Sequence, residues 1–487
     1  MAPTDQRRSS ARPPVPGSTR SPAELIVVTH GAARPIGPIA LRDSAAGRSH
    51  LQAALPGGAR LSPIFGPADR LPGRLRGTDQ ESIGAHYLNY FAVLGVADDL
   101  EAVAEQLRDD DAVAGAYVKP PAEPPIAPLS TVSVSTAAAP AVTPDYQARQ
   151  GYLDAAPTGI DARWAWGRPG GRGTGVRVID IEGAWRFTHE DLTQNQGGVI
   201  GGEPAADPGW RNHGTAVAGE ISGDVNAFGI TGIAPEATIR AVSVFGPGSA
   251  TAIRTAADAL NPGDIILLEL HRPGPRRNYQ SRPDQLGYIA IEWWPDDLAA
   301  IRYATARGVV VVEAAGNGGE DLDAALYDAR PDGFPETWRN PFRGGAADSG
   351  AVLVGAGAPP PGTHGRDHGP ARSRLAFSNY GSRVDAQGWG REVTTTGYGD
   401  LQGGGDEDYW YTDEFSGTSS ASPIVVGALA CYLGITADSG RRDPAQLREL
   451  LRATGSPQTD APGRTVAQRI GNLPDIRAMV GEYQGSA

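Results

Sequence analysis

The sequence predicts an α/β protein: a doubly wound parallel sheet with helices on both faces, preceded by a small α+β domain. Two observations carry this. From about residue 146 onward, short apolar runs (176–181, 238–245, 264–270, 309–315 and 351–355) alternate with helical segments such as 251–260 and 297–306. Near-continuous apolar strands joined by helical crossovers mark a parallel sheet covered on both faces. Residues 23–119 instead mix strands with a helix, and a stretch rich in Pro, Ala, Ser and Thr over 120–149 divides the two regions.

Taken in order, residues 1–22 are rich in Pro, Ser and Arg and read as a disordered tail. ELIVVT (24–29) and LNYFAVL (88–94) read as strands, DLEAVAEQLR (99–108) as a helix, and VAGAYV (113–118) as a closing strand. The linker, uncharged up to residue 144 except for Glu123, reads as extended, exposed and open to proteolysis. Residues 150–487 form the main domain.

Composition excludes several functions. A chain of 487 residues, 40% hydrophobic and 20% charged, fits a globular protein with a sizeable core. A net charge of −13 argues against nucleic acid, whose phosphates want a basic face. The single cysteine, Cys431, forbids an intramolecular disulfide and a multi-cysteine metal site; its apolar run (424–435) reads as a buried helix. Lys119 is the only lysine, which removes a Walker-type phosphate loop and leaves no Ser-Lys dyad. His364 and His368 in HGRDHG read as a surface loop rather than a metal pair. No apolar run approaches the roughly 18–20 residues of a membrane-spanning helix. The amino terminus shows no apolar core of a secretory signal, so the chain reads as cytoplasmic, with secretion left open.

Three motifs carry chemistry. Asp180 ends an apolar strand in VRVID, His213 lies in NHGTAVAGEI, and Ser419 lies in FSGTSSASP just before an apolar helix. A serine hydroxyl is a weak nucleophile; it needs a base within hydrogen-bond reach and a third group to orient that base. Each residue alone is ordinary. Together, H-G-T-x-V-A-G and G-T-S-x-A-x-P after a strand-end Asp are hard to produce by chance.

On these motifs the chain resembles the subtilisin-like serine peptidases over roughly residues 150–475. The resemblance implies a serine endopeptidase with Asp180, His213 and Ser419 as triad. Asn317, in VVVVEAAGNGG, would stabilise the oxyanion with the Ser419 N–H. Leu268, Glu269 and Leu270 would pair with the substrate backbone, and Ala315 and Gly316 would line the pocket for the residue before the cut. The partners implied are a peptide or protein substrate and the chain's own N-terminal domain, a propeptide-like unit cut off within or near the linker. No cofactor takes part in the chemistry.

The chain departs from the family twice. Family members often carry Ser-Leu-Gly where Glu269, Leu270 and His271 stand, and the loop 272–295 that follows is long; it either covers the cleft or decorates the surface. Family members often read Asp-Ser-Gly where this chain has Asp180, Ile181 and Glu182. Glu182 shares a strand face with Asp180 and could approach the triad; a solvated carboxylate past the strand end is the preferred reading. The resemblance also implies a structural calcium ion. Side chains of Asp191 and Asn226 and carbonyls of Asp224, Phe228 and Ile230 would hold it, completed by Asp154 or Gln150. Two rivals remain. A sedolisin-type peptidase uses Glu and Asp in place of His213 and Asn317, and a binding protein that kept the fold would need none of these residues.

Overall fold

A computed structural model describes residues 20–30, 49–66, 87–96, 99–126, 140–439 and 443–485. Of the expected disordered tail over 1–22, residues 1–19 lie outside the described residues, as does most of the linker, 127–139; Ser21 is buried and accepts from the Ala122 N–H, so the tail does not extend to residue 22.

The main domain is built on seven parallel strands in the order β13-β12-β11-β8-β5-β7-β6. These are β5 (Arg177–Glu182), β6 (Gln196–Gly201), β7 (Thr238–Ser243), β8 (Ile265–Leu268), β11 (Val310–Ala314), β12 (Val352–Gly357) and β13 (Ala386–Trp389). Five were expected, within about two residues at each end; β6 and β13 were not. β6 reads QGGVIG and is partly exposed, and β13 reads AQGW, so neither presents the apolar run that marks a central strand. Between β9 (His271–Pro273) and β10 (Tyr288–Ala290) the long loop closes on itself as an antiparallel pair.

Helices Ser249–Ala259 and Pro295–Ala306 pack together on one face of the sheet. Helices Pro208–Ser222 and Thr418–Ile435 pack together on the other. The last is apolar and long enough to cross a membrane by composition alone. It is buried from Thr418 to Gly434 and forms the spine of the core, with Cys431 inside it.

The N-terminal domain is an antiparallel sheet in the order β2-β3-β1-β4, with β1 (Glu24–Thr29), β2 (Arg60–Pro63), β3 (Tyr90–Leu94) and β4 (Val113–Lys119). One face packs on helix Leu100–Arg108, whose amino end is capped by Asp99. The other face buries Ile26, Tyr90 and Tyr117 in a core shared with the two main-domain helices. Where β4 leaves this sheet, Lys119 Nζ reaches Asp296 (2.6 Å), Asp297 (3.0 Å) and Ser249 Oγ (2.9 Å). The sole lysine therefore ties the N-terminal domain to the starts of both helices.

Ligand sites in such sheets form beyond the carboxyl ends of the strands. Adjacent strands β5, β8 and β11 end at Glu182, Leu268 and Ala314, which brings Glu182, Glu269 and Asn317 to one edge.

Candidate active site

His213, expected to open a helix, is buried in the middle of helix Pro208–Ser222, because Asp207 caps that helix six residues earlier. Its Nδ1 lies 2.7 Å from Glu182 Oε2. Asp180, the expected partner, does not meet it. Asp180 sits deep in β5 between Ala241 and Leu267 and accepts a 2.7 Å hydrogen bond from Trp185 Nε1. The reason is the strand's length. β5 runs to Glu182, which still pairs with Ser243, so the side chain that reaches the sheet edge is two residues further on. Glu182 is thus fully buried, and the expectation of a solvated carboxylate is corrected.

The two acids share a hydrogen bond, and burial raises both carboxyls well above the usual range. Each has a buried oxygen with no N–H or O–H donor, Asp180 Oδ1 and Glu182 Oε1, so one proton between them satisfies both. It resides on Asp180, because Glu182 faces the imidazole. Burial pushes His213 down to about 3 and keeps it neutral. A neutral imidazole whose Nδ1–H is held by a carboxylate presents its Nε2 lone pair as a base. Nε2 has no hydrogen-bond partner among the described residues.

Ser419 is the second residue of helix Thr418–Ile435, entered through Gly417 at φ +104°, a backbone angle that favours glycine. Its Oγ donates 3.0 Å to the carbonyl of Pro125. Residues 122–125 are therefore not exposed linker but buried in the cleft. Glu123 pairs antiparallel with His271 through two 3.1 Å backbone hydrogen bonds. The expected pairing strand is shifted by one to three residues: the Glu269 N–H is spent on Ile181 within the sheet, and His271, just beyond Leu268, Glu269 and Leu270, makes the contact.

Asn317 is fixed by its Oδ1, which accepts from the Thr418 N–H (3.0 Å) and Oγ1 (3.1 Å), while one Nδ2 hydrogen donates 3.4 Å to Gln285 Oε1 and the other stays available as a donor. Ala315 and Gly316 lie beside it, crossed by Asn379, whose Nδ2 donates 2.6 Å to the Ala315 carbonyl. Gly316 is at φ +95°, and a Cβ there would stand 2.9 Å from Asn379 Nδ2.

Glu269, expected to pair with the substrate through its backbone, instead brings its side chain into the site. It is fully buried, with Oε1 2.6 Å from Ser422 Oγ. That hydroxyl also lies 2.7 Å from the Thr418 carbonyl, which can only accept. One hydroxyl proton cannot serve both, so Glu269 carries a proton of its own. Burial, and then the Asp180 carboxyl, push it well above the carboxylate range, while the Ser419 hydroxyl pulls the other way. The signal was Glu269 itself, an acid in an otherwise apolar strand end.

The loop expected to hold calcium is closed by its own hydrogen bonds. Asp191 and Asn226 do meet, but Asn226 Nδ2 donates to Asp191 Oδ1 (2.6 Å) and the Ile230 N–H to Oδ2 (2.7 Å). Asn226 Oδ1 accepts from the Phe228 N–H, Asp224 accepts from Thr193 and Gln194, and the Gln150 amide is held by Thr231. Asp154 pairs with Arg163. Calcium requires six to eight oxygens turned inward. These residues turn N–H groups on Asp191 instead and do not fit the ion.

Comparison with known proteins agrees with the fold and the chemistry. The model of the subtilase family, Peptidase_S8, matches residues 187–472. Subtilisin BL from Lederbergia lenta is 29% identical over 264 residues, 53% of this chain and 76% of that protein. Alkaline elastase YaB from a Bacillus species is 30% identical over 261 residues, covering 53% and 54%. Among solved structures, the epidermin leader peptide processing serine protease from Staphylococcus aureus aligns over 95% of this chain and 98% of its own, with a TM-score of 0.54 at 17% identity. With a subtilisin-like parallel sheet, and more than half its length matched by that family's model, the chain belongs to the subtilase family of serine endopeptidases.

Proposed function

We propose that this endopeptidase works through a Ser419–His213–Glu182 triad and that its first substrate is its own chain, cut between Pro125 and Ile126. The observation that carries this is the seating of 122–125. Glu123 pairs with the cleft-edge residue His271, and the Pro125 carbonyl meets the Ser419 hydroxyl at 3.0 Å. The Ile126 N–H turns back to the Pro124 carbonyl (2.8 Å), a tight turn centred on Pro125.

In this reading Ser419 Oγ rotates from the carbonyl oxygen toward His213 Nε2, which takes its proton as Oγ bonds to the Pro125 carbonyl carbon. The oxygen of the tetrahedral intermediate is held by Asn317 Nδ2 and the Ser419 N–H; a preorganised donor of this kind contributes about 3–4 kcal/mol. His213 then protonates the Ile126 nitrogen, the C–N bond breaks, and water hydrolyses the acyl-enzyme by the same route in reverse. Glu182 holds the imidazole tautomer and stabilises its charged form. Asp180 and Trp185 position Glu182. Until the released segment leaves, the N-terminal domain blocks the cleft.

The test is direct. A fluorophosphonate probe labels wild-type protein at Ser419, and Ser419→Ala lowers kcat/KM on a protein substrate on the order of 10⁶-fold, the loss that disabling a whole triad gives. Retention of more than a few per cent of activity overturns the assignment.

A further inference from the structure

The loop between β8 and the helix Pro295–Ala306, the part of the cleft least like its family, makes specific contacts with the chain's own segment. Tyr288 Oη donates 2.7 Å to the Glu123 carboxylate, and Gln285 Nε2 donates 3.0 Å to the Pro124 carbonyl. The same loop crowds the strand that would floor the pocket for the residue before the cut. A Cβ on Gly318 would lie 2.1 Å from the Tyr288 carbonyl, and one on Gly316 3.4 Å from it. Asn379 bridges the two segments, donating to both the Tyr288 and Ala315 carbonyls. Pro125, a compact ring, is buried with its carbonyl on the Ser419 hydroxyl.

We propose that the enzyme is a post-proline endopeptidase that prefers an acidic residue two positions before that proline, with Tyr288 reading the acid and the 285–290 segment limiting the pocket to a small ring. This rests on the cleft being a peptidase site with Pro125 at the cut, as proposed above. Two features of the geometry support it. The acid is met by a fixed phenol on a buried strand, not by a mobile surface cation, so the preference belongs to the enzyme. Arg20 also pairs with Glu123 (2.7 Å), but it lies on the amino-terminal segment, where it holds the self-substrate and is no part of the cleft. The Gln285 contact is to the backbone, so it accepts any residue in the middle position.

The experiment compares kcat/KM for quenched fluorescent peptides built on Ala-Glu-Pro-Pro-Ile, with Glu replaced by Gln or Lys and the second Pro by Leu or Phe, using the full chain. A tethered competitor in the cleft lowers every peptide's rate by the same factor, so ratios between peptides are free of it. The Glu peptide is expected to exceed the Gln peptide about tenfold, as a hydrogen bond to a charged group warrants. Tyr288→Phe is expected to bring that ratio close to one. The Phe peptide is expected to be cut at least tenfold more slowly than the Pro peptide. Equal rates for Glu, Gln and Lys, or a ratio that Tyr288→Phe leaves intact, overturns the acid preference; faster cutting of the Leu or Phe peptide overturns the proline pocket. Fluorophosphonate labelling separates the two levels of the argument. Labelled protein without these preferences refutes the specificity alone, and unlabelled, inactive protein refutes the peptidase reading and the specificity with it.

Discussion

At the scale of single residues, the acid of the triad is the point where sequence and structure part. VRVIDIE alternates so that Val178, Asp180 and Glu182 share one strand face, and period-two patterning cannot say which of two acids stands at the sheet edge. Only the pairing of Glu182 with Ser243 and the reach of its longer side chain settle that. Two substitutions separate their roles. Glu182→Gln leaves His213 without its anion and is expected to lower kcat/KM by about 10⁴-fold, the size of the tautomer effect in serine proteases. Asp180→Asn can still donate to Glu182 and accept from Trp185, so a loss below about tenfold is expected. The reverse order would return the role to Asp180. His213 itself sets the acid limb of the rate profile. Burial pushes its pKa below the ordinary value of about 6.5, and the Glu182 anion at Nδ1 opposes that shift. Glu182→Gln should therefore move the acid limb of kcat/KM to lower pH than in the wild type, and an unmoved limb would contradict the contact.

At the scale of elements, the central strands, the helices between them and the N-terminal β1–α–β4 unit were legible because each carries its own pattern: continuous apolar residues, a 3.6-residue period, or an Asp cap. The β9–β10 pair was not legible. Its residues are rich in Arg, Pro and aromatics, and its burial comes from the cleft it closes around Glu123 and Pro124 rather than from any periodicity of its own. In the loop expected to hold calcium, spacing brought Asp191 and Asn226 together as the resemblance implied, but spacing does not say that Asp191 accepts from Asn226 Nδ2 and the Ile230 N–H. Lys119 is the other element-scale surprise. Read only as a lysine in a proline-rich stretch, it ends β4 and is buried against Asp296 and Asp297, with Arg272 beside Asp297 and Glu24. Removing one partner of a buried pair strands the others, at about 3–5 kcal/mol. Lys119→Met in a Ser419→Ala background is expected to lower the denaturant midpoint by a corresponding amount. An unchanged midpoint would mean that the N-terminal domain is held by its apolar face alone.

At the scale of the whole molecule, the two domains and the segment between them form one working arrangement. The antiparallel sheet docks on helices Ser249–Ala259 and Pro295–Ala306, Lys119 fixes the strand that leaves it, and the next six residues run straight into the cleft. The parallel sheet after the Pro-rich stretch was legible in the sequence. The seating of residues 122–125 was not, because Pro-Ala-Glu-Pro-Pro reads as solvated linker and becomes buried only by contact with a surface 150 to 300 residues away in the chain. The central claim is that this seating is a substrate's. Intact mass and amino-terminal sequencing of the wild-type and Ser419→Ala chains after the same incubation test it most directly. The account predicts a new terminus at Ile126 in the wild type and an uncut Ser419→Ala chain. A wild type that stays full length while cutting other substrates, or a Ser419→Ala chain cut at the same bond, would contradict it.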